Sequence, residues 1–301
     1  MTAALETVGL GRRYRTKWAL RDCTFSVPEG SITGIVGPNG AGKSTLFRLA
    51  AGISRPTSGT VTVFGQEVRL NSSEHLKRLG YFDQLRPLYS GFRVEEMLTL
   101  GRRLNSTWDN AAAREWLSEL NIPMKQKVGH LSLGQQAQVA LTLCMAKRPD
   151  LLLLDEPVAS LDPLARHELL QTLMGTVAEQ GTTVFLSSHF VSELEPVCDN
   201  LIILSSSQVK ITGTIESLLA DHRLLIGPDG PEPLNGVEMI SSRKTGRQRT
   251  LLVRGIPPSL GPGWQDLQPD LNEIVLAYLA RRAPGANHKL ADDGTSDGGP
   301  S

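Results

Sequence analysis

Everything in this chain has to be built around one short run, Gly37-Pro38-Asn39-Gly40-Ala41-Gly42-Lys43-Ser44-Thr45, set between an apolar β-type segment (Ile32 to Val36) and a helical one (Leu46 to Ala51). Glycines at 37, 40 and 42 permit backbone conformations that aim several amides at one point, and the amino end of the following helix adds its partial positive charge there. Strand, glycine-rich loop and helix in this order form the P-loop pattern, whose natural occupant is a polyphosphate. Lys43 can bridge β- and γ-phosphates as a point charge. The Ser44 hydroxyl can join the shell of an Mg²⁺ ion, and Thr45 stands where it can help hold an α-phosphate. A nucleoside triphosphate is implied but no particular reaction, because kinases, GTPases and many motors share this loop.

A second apolar run, Leu151 to Leu154, ends in Asp155 and Glu156. Successive residues of a strand point to opposite sides, so the two acids can do different work. Asp155 can support Mg²⁺ through its water shell, leaving Glu156 to orient and polarise the water that attacks the γ-phosphate. Without Lys43 elsewhere in the chain, the same residues would read as a strand followed by a charged turn.

Similar β-rich runs at Thr183 to Leu186 and Leu201 to Leu204 alternate with longer helical patterns. That alternation predicts a mostly parallel sheet with helices on its faces. Asp162-Pro163 marks a helix start that runs to about Glu179, with Gly181 as its stop. The strand beginning at Thr182 then delivers Ser187, Ser188 and His189 to its carboxyl end, where open α/β sheets place ligands. Between about Tyr81 and Pro149 the pattern turns helical, with Val94 to Leu104 and Ala111 to Leu120 as amphipathic candidates. From about Lys210 short strand-like pieces (Leu224 to Ile226, Val237 to Ser241, Leu251 to Val253) precede a helix over Leu271 to Leu279. The organisation expected is a main domain over 1–220 with a helical subdomain at about 85–148, a small accessory domain over 221–282, and a disordered tail over 283–301 that is rich in Gly, Asp, Ser and Pro.

Lys plus Arg number 31 and Asp plus Glu number 31, so nothing draws the whole molecule to nucleic acid or acidic lipid. Cys23, Cys144 and Cys198 match no metal-ligand or redox spacing and fit a reducing cytoplasm. The start of the chain lacks the pattern of a secretory signal, and no stretch approaches the roughly 20 apolar residues needed to span a bilayer. Direct membrane insertion is therefore not expected, and any membrane partner has to be a separate chain.

Four more elements stand along the chain: Gln84 in Tyr81-Phe-Asp-Gln84, Leu131-Ser-Leu-Gly-Gln135, Ala159-Ser-Leu-Asp162, and His189. With the P-loop and the Leu151 to Glu156 strand, they make residues 5 to 220 resemble the ABC ATPase family. The resemblance implies an α/β P-loop NTPase with a mixed sheet core, an antiparallel β subdomain and an inserted helical subdomain, here followed by a small C-terminal α+β appendage. It implies ATP and Mg²⁺ as cofactors, and a head-to-tail homodimer or heterodimer in which each nucleotide lies between one P-loop and the other copy's Leu131 to Gln135 segment. It further implies ATP hydrolysis that energises transport through a membrane-spanning permease subunit on a separate chain, from a cytoplasmic position on the inner face of the membrane.

The roles that the resemblance assigns come residue by residue. Tyr14 would stack on adenine, with a partly exposed surface aromatic as the lesser alternative. Gln84 would sense Mg²⁺ or the attacking water, and His189 would contact the γ-phosphate and steady Glu156 or the water. Ser132, Gly134 and Gln135 belong to the segment that would meet the γ-phosphate across the dimer. Asp162 would connect the two sites, and it can cap its helix at the same time. Two positions depart from the family pattern: Leu133 stands where Gly is usual, and Gln138 where Arg is frequent. The ending over Leu271 to Leu279 is similar to that of bacterial exporter ATPases. A non-transport relative in DNA repair or on ribosomes, and a regulatory subunit with little catalysis, are the rival readings. The chain carries neither heptads nor a second P-loop for the first, and it retains Glu156 and His189 against the second.

Overall fold

The computed structural model describes residues 2–70, 72–85, 87–159, 161–229 and 235–281. The chain opens on a long hairpin of β1 (Ala3–Tyr14) and β2 (Lys17–Pro28), followed by β3 (Ile32–Val36) and α1 (Lys43–Ala50). Next come β4 (Ser58–Val63), β5 (Gln66–Glu67), α2 (Ser73–Arg78) and β6 (Leu79–Phe82). Three helices follow, α3 (Val94–Leu104), α4 (Asn110–Glu119) and α5 (Leu133–Ala146). The chain then alternates through β7 (Leu151–Leu154), α6 (Pro163–Gln180), β8 (Thr183–Ser188), α7 (Val191–Leu194), β9 (Asn200–Ser205) and β10 (Gln208–Thr214). It closes with α8 (Ile215–Asp221), β11 (His222–Pro228), β12 (Glu238–Thr245), β13 (Gln248–Arg254), β14 (Gln265–Leu267) and α9 (Leu271–Ala280).

The central sheet has the order β10-β9-β3-β8-β7-β6 and is parallel except for β10, which pairs antiparallel with β9. Every residue of β3, β7 and β8 is buried, as strands covered on both faces must be. One face packs against α1 and the antiparallel sheet β2-β1-β4-β5, where Phe47 stacks on Phe185 at 4.9 Å. The other face is covered by α5, α6, α7 and α9. Each large apolar side chain taken fully from water there contributes about 1.5 to 3 kcal/mol. Helices α3, α4 and α5 share a smaller core of their own around Leu98, Leu117 and Val139. A third sheet, β12-β13-β11-β14, lies next to α9.

Local chemistry explains the boundaries. Asp162 Oδ1 accepts from the Leu164 and Ala165 amides at 3.0 Å, Pro163 takes the first turn of α6, and Gly181 ends it at φ 65°. Sheet character persists past Lys210, because β10 continues to Thr214. Among the described residues no helix is long and apolar enough to cross a membrane. The tail expected over 283–301 lies outside the described residues.

Candidate functional site

Parallel pairing brings the functional loops to one edge. Val36 is level with Ser188, Leu154 with Leu186, and Phe82 with Leu154, so the P-loop, Gln84, Glu156 and His189 all emerge at the carboxyl ends of adjacent strands. The P-loop is held close to β2. Gly42 has φ +117°, and a Cβ there would lie 2.3 Å from the Ala19 carbonyl oxygen, so only glycine fits both the conformation and the space. The Pro38 carbonyl accepts from the Ala41 amide at 3.1 Å, which closes the loop's turn.

Lys43, 5% exposed, donates through Nζ to the Gly37 carbonyl at 2.7 Å and lies 3.3 Å from Glu156 Oε1. The other oxygen of Glu156 accepts from Gln84 Nε2 at 3.1 Å and stands 3.6 Å from His189 Nδ1. Three predicted residues thus converge on one carboxylate. Its backbone has φ +50°, a conformation that costs a residue with a Cβ and that persists only when its surroundings enforce it. One of those surroundings is Ser187, whose hydroxyl accepts from the Glu156 amide at 2.9 Å and donates to Asp155 Oδ1 at 2.8 Å.

Asp155 is almost fully buried, and burial raises its pKa. The hydroxyls of Ser44 and Ser187 oppose that rise, while the charges of Glu156 and Asp83 reinforce it. A buried carboxylate beside a serine hydroxyl, with no cation paired to it among the described residues, is a donor set that suits Mg²⁺. No cluster of three or more His, Cys, Asp or Glu residues that could hold a metal occurs among the described residues. A magnesium ion here would therefore take most of its oxygens from phosphate and water, as that ion commonly does.

Lys43, Gln84 and Glu156 open onto a cleft of about 450 Å³, whose lining does not include Asp155, Ser187 or His189. The P-loop residues Asn39, Gly40 and Gly42 to Thr45 line it together with Gln84, Glu156, Tyr14, Lys17 and Trp18. Tyr14 is half exposed and carries the Arg12 guanidinium 4.7 Å from its ring centre. The sequence places Ser187 at a ligand-binding strand end without giving it a role, and it does not name Trp18. A hydroxyl pair interrupting the apolar run of β8 was the available signal for Ser187, whereas nothing in the sequence marks Trp18.

Ser132, Gly134, Gln135 and Asp162 do not line this cleft. Ser132 and Gln135 satisfy each other's backbone amides in a capping box at the start of α5, at 3.2 and 3.1 Å. Ser132 and Asp162 are exposed, and Leu133 is 67% exposed.

The profile of the ABC transporter family matches residues 20–159. A second profile, an AAA domain described as a putative AbiEii toxin of a type IV TA system, matches residues 125–195, a stretch that holds Asp155, Glu156 and His189 but not the P-loop. The Nod factor export ATP-binding protein I of Rhizobium sp. is 33% identical over 73% of this chain and 73% of its own length. The ABC transporter ATP-binding protein YtrB of Bacillus subtilis is 30% identical over 86% of this chain and 92% of its own. The bacitracin transport ATP-binding protein BcrA of Bacillus licheniformis is 29% identical over 74% and 72%. Among solved structures, one described as the ATP binding subunit of an ABC transporter superposes with a TM-score of 0.66 at 28% identity, covering 72% of this chain and 92% of that one. With a P-loop, a paired-acid strand and a polar carboxyl-end loop meeting in one cleft, and with relatives of this kind, the chain belongs to the family of ABC transporter ATP-binding proteins.

Proposed function

We propose that this chain hydrolyses ATP as the motor subunit of an ABC transporter, with Mg²⁺ held by Ser44 and Asp155. The observation that carries the reading is the Glu156 carboxylate, held at the mouth of the P-loop by Lys43, Gln84 and His189. Lys43 neutralises Glu156 across their 3.3 Å contact. A γ-phosphate would draw the Lys43 ammonium to itself and leave Glu156 to orient water and accept its proton. Gln84 and His189 then keep that carboxylate aimed. Magnesium, when bound, offsets charge on the phosphate oxygens.

The cleft is open, and the exposed helix start at Ser132 is not part of its lining within one chain, which supports a site completed by a second cassette. Ser132, Gly134 and Gln135 of the second copy would grip the γ-phosphate with the amino end of α5, and Asp162 would link the two sites. ATP thus acts as an adhesive that hydrolysis removes, and the closing motion passes to a separate membrane-spanning permease. The exposed Leu133 lies in this seam and tunes how closely the copies meet. Export is the direction supported by the relatives named for Nod factor export. Homodimer and heterodimer both satisfy the geometry.

Steady-state turnover and nucleotide affinity of Glu156→Gln test the assignment. Affinity for Mg·ATP stays within about two-fold while kcat falls on the order of 10²-fold or more. Undiminished turnover in that variant refutes Glu156 as the base. Recovery of a polytopic membrane protein with the tagged chain supports transport, whereas recovery of ribosomes or DNA supports the non-transport alternative.

A further inference from the structure

His189 sits between the end of β8 and the start of α7, on a connection fixed by its flanks. The buried Ser188 hydroxyl accepts from the Phe190 amide at 2.9 Å and donates to Glu193 Oε2. The first bond ties the backbone after the histidine to the residue before it, and the second anchors that residue's hydroxyl to Glu193. The histidine ring itself is about a third exposed and leans on a half-exposed Phe190 at 4.1 Å, so packing alone does not hold it. Glu193 is only 5% exposed, and a carboxylate so placed requires a partner. Its Oε1 lies 2.9 Å from Arg166 Nη1, on the first turn of α6, where the Arg166 amide also donates to the Asp162 carbonyl at 2.9 Å. The pairing is not an aligned hydrogen bond, so it fixes a distance while leaving the angle free. An unbroken run of contacts therefore leads from Asp162 through Arg166, Glu193 and Ser188 to His189, and on to Glu156. Neither Arg166 nor Glu193 lines the nucleotide cleft.

We propose that Arg166 and Glu193 are a positioning pair. Their ion pair, acting through Ser188, sets the His189 ring against Glu156 and ties that setting to the exposed amino end of α6. The inference rests on the ATPase reading above, within which His189 steadies Glu156, and adds to it what places His189.

The test is steady-state ATPase kinetics of the full chain, with thermal melting measured on the same samples, for Arg166→Met, Arg166→Lys, His189→Ala and the Arg166→Met/His189→Ala double variant. Arg166→Met is expected to lower kcat about 10-fold, since small misplacements of an orienting group cost this much or more, and to leave KM for ATP within about two-fold. Arg166→Lys restores most of the loss. In the His189→Ala background Arg166→Met produces no further fall, because both changes remove one contact. Should Arg166→Met melt too low to assay, Glu193→Gln, nearly equal in shape, carries the same comparison. Losses that multiply in the double variant, or a KM that rises as kcat falls, overturn the positioning role while the loss in His189→Ala keeps the ATPase reading intact. An unaffected His189→Ala also overturns it. A wild-type chain that turns over no ATP removes both.

Discussion

Asp155→Asn should make the empty protein more stable while destroying its response to magnesium. At pH 7 the wild-type folded state buries a carboxylate between Glu156 and Asp83, with only the hydroxyls of Ser44 and Ser187 to compensate. Asparagine keeps an oxygen for Ser187 Oγ, at 2.8 Å in the wild type, and removes the buried charge and both repulsions. Gains of this kind at functional sites are about 1 kcal/mol, which for a chain of this size raises Tm by about 2 °C. The sign with pH follows from the direction of the shift. A carboxyl whose pKa is raised by folding destabilises the native state in full above that raised pKa, and the penalty fades as the pH falls from there to the unfolded-state pKa. The advantage of Asp155→Asn is therefore largest where Asp155 is ionised and shrinks as pH falls through its raised pKa. Thermal melting in three conditions, without nucleotide, with ATP plus chelator, and with ATP plus Mg²⁺, reads both effects. Ligand at about 100 times Kd adds about 2.7 kcal/mol of stability. The wild type gains further on adding Mg²⁺, and the variant does not. A variant that melts below wild type when empty, or that keeps the whole magnesium increment, refutes the role given to Asp155.

Lys43→Ala removes the cation shared by Gly37 and Glu156, and calorimetric titration should show Mg·ATP binding about 10-fold to 100-fold weaker. Gly42→Ala places a Cβ 2.3 Å from the Ala19 oxygen at φ +117°, which costs about 3 kcal/mol in a denaturant titration, whereas Gly40→Ala, at φ +79° in open space, costs about 1 kcal/mol. Tyr14→Ala, in the lining of the cleft, should weaken ATP about 5-fold, the equivalent of about 1 kcal/mol of base stacking, measured by nucleotide competition.

How much of this could be read from sequence varied with the length scale of the cause. The P-loop, the strand ending in Asp155 and Glu156, and α6 with its Asp162 and Gly181 boundaries are written in contiguous residues, because capping and phosphate binding are local. The β1 and β2 hairpin was reached only through the resemblance: register shifts between Thr7 and Leu10, and again before Arg13, break the period-two alternation that marks a strand. β14 is three exposed residues long, too short to leave a pattern. The sequence places Ser187 at the ligand-binding end of its strand but gives it no role, because that role lies in touching Asp155 and Glu156 beyond the neighbouring strand, a pairing that depends on sheet order. Trp18 reaches the cleft through the close approach of β2 to Gly42, again a tertiary fact.

In the proposed cycle, triphosphate on one P-loop is completed by a second cassette. Light scattering on size-separated Glu156→Gln, with and without Mg·ATP, tests it most directly. The 32.7 kDa chain should run as a single copy without nucleotide and as a pair with Mg·ATP, reverting when Mg²⁺ is chelated. A Glu156→Gln protein that binds Mg·ATP and stays single, both alone and when mixed with its partner cassette, contradicts the claim.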